Sequence, residues 1–300
     1  MKKSNPFLSL ARICSLFGVT RQAYYQYSWR QIDITTEQEI VLQLVRQVRN
    51  DQPMIGTRKL YVLLKPILMD HQIKMGRDAL FDLLAAHGLL VRRRKRTVRT
   101  TQSSHWMRKY PNLIRTMIVN KPDQLWVSDI TYVKTVSGFL YISFITDAYS
   151  RKIAGYHLAN SLDAVNSLKA LDMALQSLPR EVRGLTHHSD RGLQYCSGKY
   201  VKRLQDNNIA ISMTDNGDPL ENAIAERING IIKHEFLYNQ PLLNREHATE
   251  QLDKAVWVYN NQRPHMSCNM LTPIQAHQNS GQMKRLWKNY YSKPDNVNTK

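Results

Sequence analysis

Cysteine is scarce in this chain: Cys14, Cys196 and Cys268 are far apart and odd in number. They supply neither a disulfide framework nor a zinc-ligand spacing, so a stapled secreted fold is excluded and a reducing, cytoplasmic compartment is expected. Long apolar runs are missing too. The most apolar stretch, Phe139 to Ile145, is far too short to span a bilayer. Near the N-terminus Lys2 and Lys3 precede an apolar stretch from Phe7 to Phe17. Arg12 interrupts it and no small-residue cleavage site follows, so it reads as a helix and not as a secretion signal. No internal repeat or low-complexity tract is present. The third shortage is negative charge: 24 Asp and Glu stand against 42 Lys and Arg, a formal net charge of +18 over 300 residues. That imbalance suits a polyanion, with nucleic acid favoured over an anionic membrane surface. With 42% hydrophobic residues the chain has enough apolar material to fold. At this length a single core is near its practical limit, so two or three domains are expected.

The positive charge is concentrated. The first 120 residues carry 21 basic and 7 acidic side chains, the remaining 180 carry 21 and 17. Within the basic front, Leu10, Ile13, Cys14 and Phe17 recur at helical spacing. Gly18 and Val19 then make a turn, and Thr20 is placed to cap a short second helix, Arg21 to Gln26. This predicts a helix-turn-helix-like segment over 1–35, an ordinary helical hairpin being the equal alternative. A helical DNA-binding domain is expected over 36–91, with helices at Glu37–Arg49, Thr57–Leu64 and Gly76–His87, and Pro66 limiting the second. Residues 92–121 read as a basic linker. Arg92, Arg93, Arg94, Lys95, Arg96 and Arg99 put six positive charges in eight residues, too many for a packed segment and well suited to phosphates. Beyond it, 122–280 alternate β-rich stretches with amphipathic helices in the order β-β-β-α-β-α-β-α, an α/β domain with a mixed sheet. A tail, 281–300, closes the chain.

A basic chain with a few acids at defined places points to metal-assisted phosphoryl transfer, because Mg²⁺ prefers carboxylate oxygens and two such ions can serve the attacking and leaving oxygens together. Asp129 lies inside an apolar strand, where a lone carboxylate is costly. Asp190 ends a short strand and is followed by Arg191 and Gly192; alone it would pass for a turn residue. Glu226 shares a helix face with Asn222, Asn229 and Lys233, while Ile224, Ile228, Ile231 and Ile232 fall on the other side. Glu221 and Asp147 are its competitors for a ligand role; Asp215 and Asp218 read as turn residues. His187 and His188 point to opposite faces of a strand and make no zinc pair.

Asp190 and Glu226 have 35 residues between them. Trp126, Asp129, Ile130, Thr131 and Tyr132 form one motif, His188, Ser189, Asp190, Arg191, Gly192, Gln194 and Tyr195 a second, and Asn222, Ala223 and Glu226 a third. Lys233 follows the glutamate by seven positions, and Tyr259, Asn260, Arg263, Pro264 and His265 close the series. In this order they resemble the OrfB-type catalytic protein of IS3-family insertion-sequence transposases, over nearly the whole chain. Glu221 is a departure, since the family often has aspartate there.

The resemblance implies an RNase H-like core over 122–280, preceded by small all-α helix-turn-helix modules. It implies that Asp129, Asp190 and Glu226 hold two Mg²⁺ or Mn²⁺ ions. Water would cleave a phosphodiester at the element's end to free a 3′-OH, which then attacks a second phosphodiester. No covalent protein–DNA intermediate is needed. Lys233 is expected beside the terminal DNA, Arg263 and His265 as phosphate ligands, or equally as a capped turn closing the fold, and His188 and Asn222 as residues that position the site. The expected partners are double-stranded DNA, further copies of the chain, and an upstream helix-turn-helix protein, free or joined by frameshift. The competing readings are a non-catalytic DNA-binding regulator, which leaves the acid spacing unexplained, and a nuclease of the same fold.

Overall fold

The computed structural model describes residues 9–91, 106–179, 182–215 and 222–283. In the helical front, α1 (Leu10–Leu16) is capped by Ser9, and Gly18 takes a positive φ of 66° in the turn that follows. Thr20 caps α2 as expected, its hydroxyl accepting the Ala23 N–H at 3.0 Å. α2, however, runs unbroken from Arg21 to Asp51. Two helices were expected in that span, with a domain boundary at 35; neither Pro nor Gly lies within it to stop the first turn from propagating. α3 (Thr57–Asp70) also outruns its predicted end at Leu64. Pro66 removes one helical hydrogen bond, yet Leu64 and Leu68 on either side of it are both buried, and that packing carries the helix through. With α4 (Arg77–Ala86), these helices enclose Val41, Val45, Leu60, Leu64, Leu80 and Leu84.

The second unit is built on five strands: β1 (Leu125–Thr135), β2 (Gly138–Asp147), β3 (Ile153–Ala159), β4 (Thr186–Ser189) and β5 (Ala210–Met213). Their order is β3-β2-β1-β4-β5, antiparallel from β3 to β1 and parallel from β1 to β5. Alternation along β1 sends Trp126, Ser128 and Ile130 to one face and Val127, Asp129 and Thr131 to the other. The first face is covered by α5 (Ala164–Gln176), α6 (Leu193–Cys196) and α7 (Gly198–Asp206), with Trp126, Ile145, Leu171, Tyr200 and Met213 in its core. α5 lies so close to β3 that a Cβ at Gly155 would overlap the Ala170 carbonyl. The second face is covered by α8 (Ala223–Ile231) and α9 (Arg245–Asn261), which bury Phe144, Ile228, Ile231, Ile232 and Tyr259 together.

The last helix of the expected β-β-β-α-β-α-β-α order changes character along its length. α8 passes into a π-turn, Ile232–Phe236, and then a 3₁₀ turn, Leu237–Asn239. The linker expected over 92–121 is, from residue 106 on, part of this unit. Leu113 N–H donates to Ser212 Oγ at 2.9 Å, Met213 N–H to Pro111 O at 3.3 Å, and Ile114, Met117 and Val119 pack on Leu125, Val127 and Ala225. Tyr110 packs against the core while Trp106 stands exposed. α10 (Pro273–His277), started by a Thr272–Gln275 capping box, closes the described chain.

Candidate active site

β1 and β4 pair in parallel with Ser128 opposite Ser189, which sets the next residues, Asp129 and Asp190, side by side where β4 ends. Asp190 Oδ1 accepts the Gly192 N–H at 3.0 Å, so the tight turn after the strand orients the carboxylate. A Cβ at Gly192 would lie 3.0 Å from that same oxygen, which explains why the turn has no side chain there. Asp129 is half-buried and held at both oxygens: Ile130 N–H donates to Oδ1 at 2.9 Å and Asn229 Nδ2 to Oδ2 at 2.8 Å.

α8 is laid along β1 by polar ties. Asn222 Nδ2 donates to Ser128 O at 3.0 Å, Asn229 reaches Asp129, and Lys233 Nζ donates to Thr131 Oγ1 at 3.0 Å with its cation 4.5 Å from the Tyr132 ring centre. The polar face that carries Glu226 therefore faces the sheet. Its asparagines are buried while Glu226 stays exposed within electrostatic reach of Asp129. Burial, then the Asp190 charge, then Glu226 push the Asp129 carboxyl up to about 8, against the hydrogen bonds from Ile130 and Asn229. Burial lowers Lys233, and the Asp129 carboxylate partly opposes this. Two further acids thus face Asp129 in a protein of net charge +18, a donor set of carboxylate oxygens that suits a hard cation.

His188 is buried on the acid side, its Nδ1 2.8 Å from Ser212 Oγ. His187 points the other way: Ser128 Oγ lies 2.7 Å and Tyr200 Oη 2.9 Å from its Nε2, and burial pushes it down to about 3. The pair makes no joint ligand set, as the strand geometry predicted.

Arg263 and His265 correct the expectation of phosphate contacts. Arg263 is 2% exposed and grips Glu235 with two prongs, Nε to Oε2 and Nη2 to Oε1, both 2.8 Å. His265 is buried, paired with Ser267 Oγ at 2.7 Å, and pushed down to about 2 by burial and then by neighbouring cations. These residues close the fold, the reading held open as their alternative. Glu235 was missed because nothing local marks it; its partner lies 28 residues away. Asn229 was visible on the Glu226 face, but its hold on Asp129 was not. Arg92, Arg93, Arg94, Lys95, Arg96 and Arg99, and the competitor Glu221, lie outside the described residues.

Among the described residues, Asp123, Asp147 and His277 bring ligand atoms within 4.8 Å of one another. Asp147 accepts the Ser150 N–H and hydroxyl at 2.7 and 2.6 Å on Oδ1 and the Asp123 N–H at 2.8 Å on Oδ2. Asp123 accepts Trp126 Nε1 at 3.0 Å and pairs with His277 Nε2 at 3.4 Å. The cluster is already occupied by protein donors and fastens α10 to the sheet, in keeping with a structural role for Asp147.

Two models of the family described as integrase core domain match residues 119–219 and 207–273. Over 275 residues the chain is 32% identical to the insertion element IS600 uncharacterized 31 kDa protein of Shigella sonnei, covering 90% of this chain and 99% of that one. Over 282 residues it is 27% identical to transposase InsF for insertion sequence IS3A of Escherichia coli K12, covering 92% and 96%. Among solved structures, the HTLV-2 integrase catalytic core domain in complex with magnesium aligns over 52% of this chain and 97% of that one, at 21% identity and a TM-score of 0.42. The integrase core matches and the insertion-element relatives make the chain a member of the IS3-family insertion-sequence transposases, DDE polynucleotidyl transferases with an integrase core domain.

Proposed function

We propose that Asp129, Asp190 and Glu226 are the catalytic acids, and that they hold two Mg²⁺ or Mn²⁺ ions while the chain cuts the element's terminal repeats and joins them to target DNA. The observation that carries this reading is the Ser128–Ser189 register, which sets Asp129 beside Asp190 under the helix of Glu226. Carboxylate oxygens alone suit hard cations, and the raised Asp129 carboxyl is the charge such cations would settle. When bound, the ions supply an activated attacking oxygen and stabilisation of the leaving one. The protein's own part is to hold geometry. Ile130 and Asn229 fix Asp129, the Gly192 amide fixes Asp190, and Asn222 fixes the start of α8. Lys233, poised between Thr131 and Tyr132, is the cation for a terminal phosphate, and His188 steadies the end of β4 through Ser212.

The helical front and the basic run of residues 92–99 supply affinity for DNA. Double-stranded DNA and further copies of the chain are the partners, with an upstream helix-turn-helix protein where the element encodes one; the compartment is the cytoplasm. Among the described residues no helix is long and apolar enough to cross a membrane.

The test uses purified protein, a labelled terminal-repeat duplex and Mg²⁺. Cleavage and joining by the parent chain, lost in Asp190→Asn and Glu226→Gln, are expected. Near-normal joining by either variant overturns the assignment. Cleavage without joining would favour the nuclease, and binding without cleavage the regulator. Replacing the basic residues of 92–99 with Gln should weaken binding to all sequences and flatten the salt dependence by about 0.9 per lost phosphate contact.

A further inference from the structure

Lys59 sits in the first turn of α3, in the helical front, yet its ammonium is not turned to solvent. Its side chain is 12% exposed and lies 3.3 Å from both oxygens of Glu235 in the catalytic unit. Arg263 holds the same carboxylate, so two cations share one acid in a nearly closed setting, with Arg227 of α8 and His265 beside them. The arrangement favours the acid, which against its burial Arg263 and Lys59 hold below the usual carboxylate range, and costs the lysine. Burial first, and then Arg263, push Lys59 down to about 8, and the attraction of Glu235 does not make up the loss. A buried ion pair of this kind is often replaceable by an apolar residue without loss of stability. Its value lies elsewhere.

Glu235 belongs to the π-turn Ile232–Phe236, which continues α8 without a break. π-turns are rare and recur at functional sites. Two residues before Glu235 on the same turn, Lys233 is tied to Thr131 on β1. The turn is thus fastened on one side to the strand of Asp129 and on the other to α3. Among the described residues, Lys254 to Asp51 at 2.8 Å is a more exposed contact between the two units, and Gln52 Nε2 to Gln262 O at 3.4 Å a weaker one.

We propose that Lys59 is a positioning residue for the transposition reaction: by holding Glu235 it locks the helical front to the π-turn that sets Lys233, and through α8 Glu226, against β1. DNA gripped by the front is thereby kept in register with the acids. The inference rests on the strand-transfer reading above for its activity arm, and on the geometry alone for its structural arm.

The experiment compares the full chain with Lys59→Met and Lys59→Gln. Either variant leaves Glu235 paired with Arg263, so no charge is stranded. Strand transfer should fall about tenfold in Lys59→Met, the cost of a small misplacement, and less in Lys59→Gln, which keeps a donor. Binding of the terminal duplex and the unfolding temperature should not fall. Hydrogen exchange should quicken at the amides of 232–236 and not across the sheet. Unchanged transfer with unchanged exchange in the π-turn overturns the proposal. So does a joint fall in rate and unfolding temperature with exchange raised throughout, which marks a merely structural residue. If the parent chain itself joins no strands, the functional reading fails, and the exchange pattern still decides the positioning role.

Discussion

Two groups of acids meet on the same central strands. Asp129 of β1 gathers with Asp190 and Glu226 on one face of the sheet; Asp123 and Asp147, where β1 begins and β2 ends, gather with His277. In the first group burial and then the charges of Asp190 and Glu226 push the Asp129 carboxyl up to about 8. In the second a cation stands between the two carboxylates. Burial pulls His277 down, but hydrogen bonds to Asp123 and Asp147 outweigh it and hold the imidazole up at about 9. Burial raises Asp123, and the bonds from His277 and Trp126 bring it below the usual carboxylate range. Proximity alone selects the second group as a metal site, because its ligand atoms are the closer ones. Charge balance selects the first. A carboxylate cluster satisfied by its own protein is a fastening, and one left with excess negative charge is a place for cations.

The comparison can be broken by activity first. Asp190→Asn and Glu226→Gln should lower strand transfer by roughly three orders of magnitude, the equivalent of about 4 kcal/mol. His277→Gln should leave the rate of the folded protein near that of the parent. Comparable losses in all three would erase the distinction. Stability should respond the opposite way, with His277→Gln costing about 3 kcal/mol because it strands buried carboxylates. Its pH signature follows from the raised imidazole. The folded state binds the extra proton between the free value of 6.5 and about 9. The stabilisation is therefore complete below the lower value and is lost as pH rises through the upper one. Thermal melts of the parent across that window should slope downward, and His277→Gln should flatten them.

Smaller substitutions sharpen the first group. Gly192→Ala places a methyl 3.0 Å from Asp190 Oδ1 and 3.1 Å from Gln194 Oε1, at a backbone angle that alanine accepts. The expected result is about a tenfold slower strand transfer with little change in melting, since only the carboxylate is moved. The smallest effect is a gain: Asp129→Asn in metal-free protein should raise stability by on the order of 1 kcal/mol, because it removes the repelled charge. A loss there would show Asp129 to be a structural anion.

The three candidate acids stood out because spacing and motif order are properties of the chain itself, and most strands were legible from their β-branched and aromatic content. What stayed hidden depends on partners far along the chain. The length of α2 was not read from Arg21–Gln26 and Glu37–Arg49, although the connection between them holds neither Pro nor Gly to stop a helix. Arg263 looked like a DNA ligand while Glu235 and Lys59 were out of view; a buried bidentate pair is invisible to local pattern. The π-turn was equally hidden, since residues 219–238 carry a helical pattern and only the ties of Lys233 and Glu235 to opposite neighbours show where it widens.

The central claim is that cations belong to Asp129, Asp190 and Glu226 and not to Asp123, Asp147 and His277. Calorimetric titration of Mn²⁺ into the parent chain, Asp190→Asn and His277→Gln tests it most directly. The account predicts binding that is lost in Asp190→Asn and retained in folded His277→Gln. Binding that survives Asp190→Asn and vanishes in His277→Gln would contradict it.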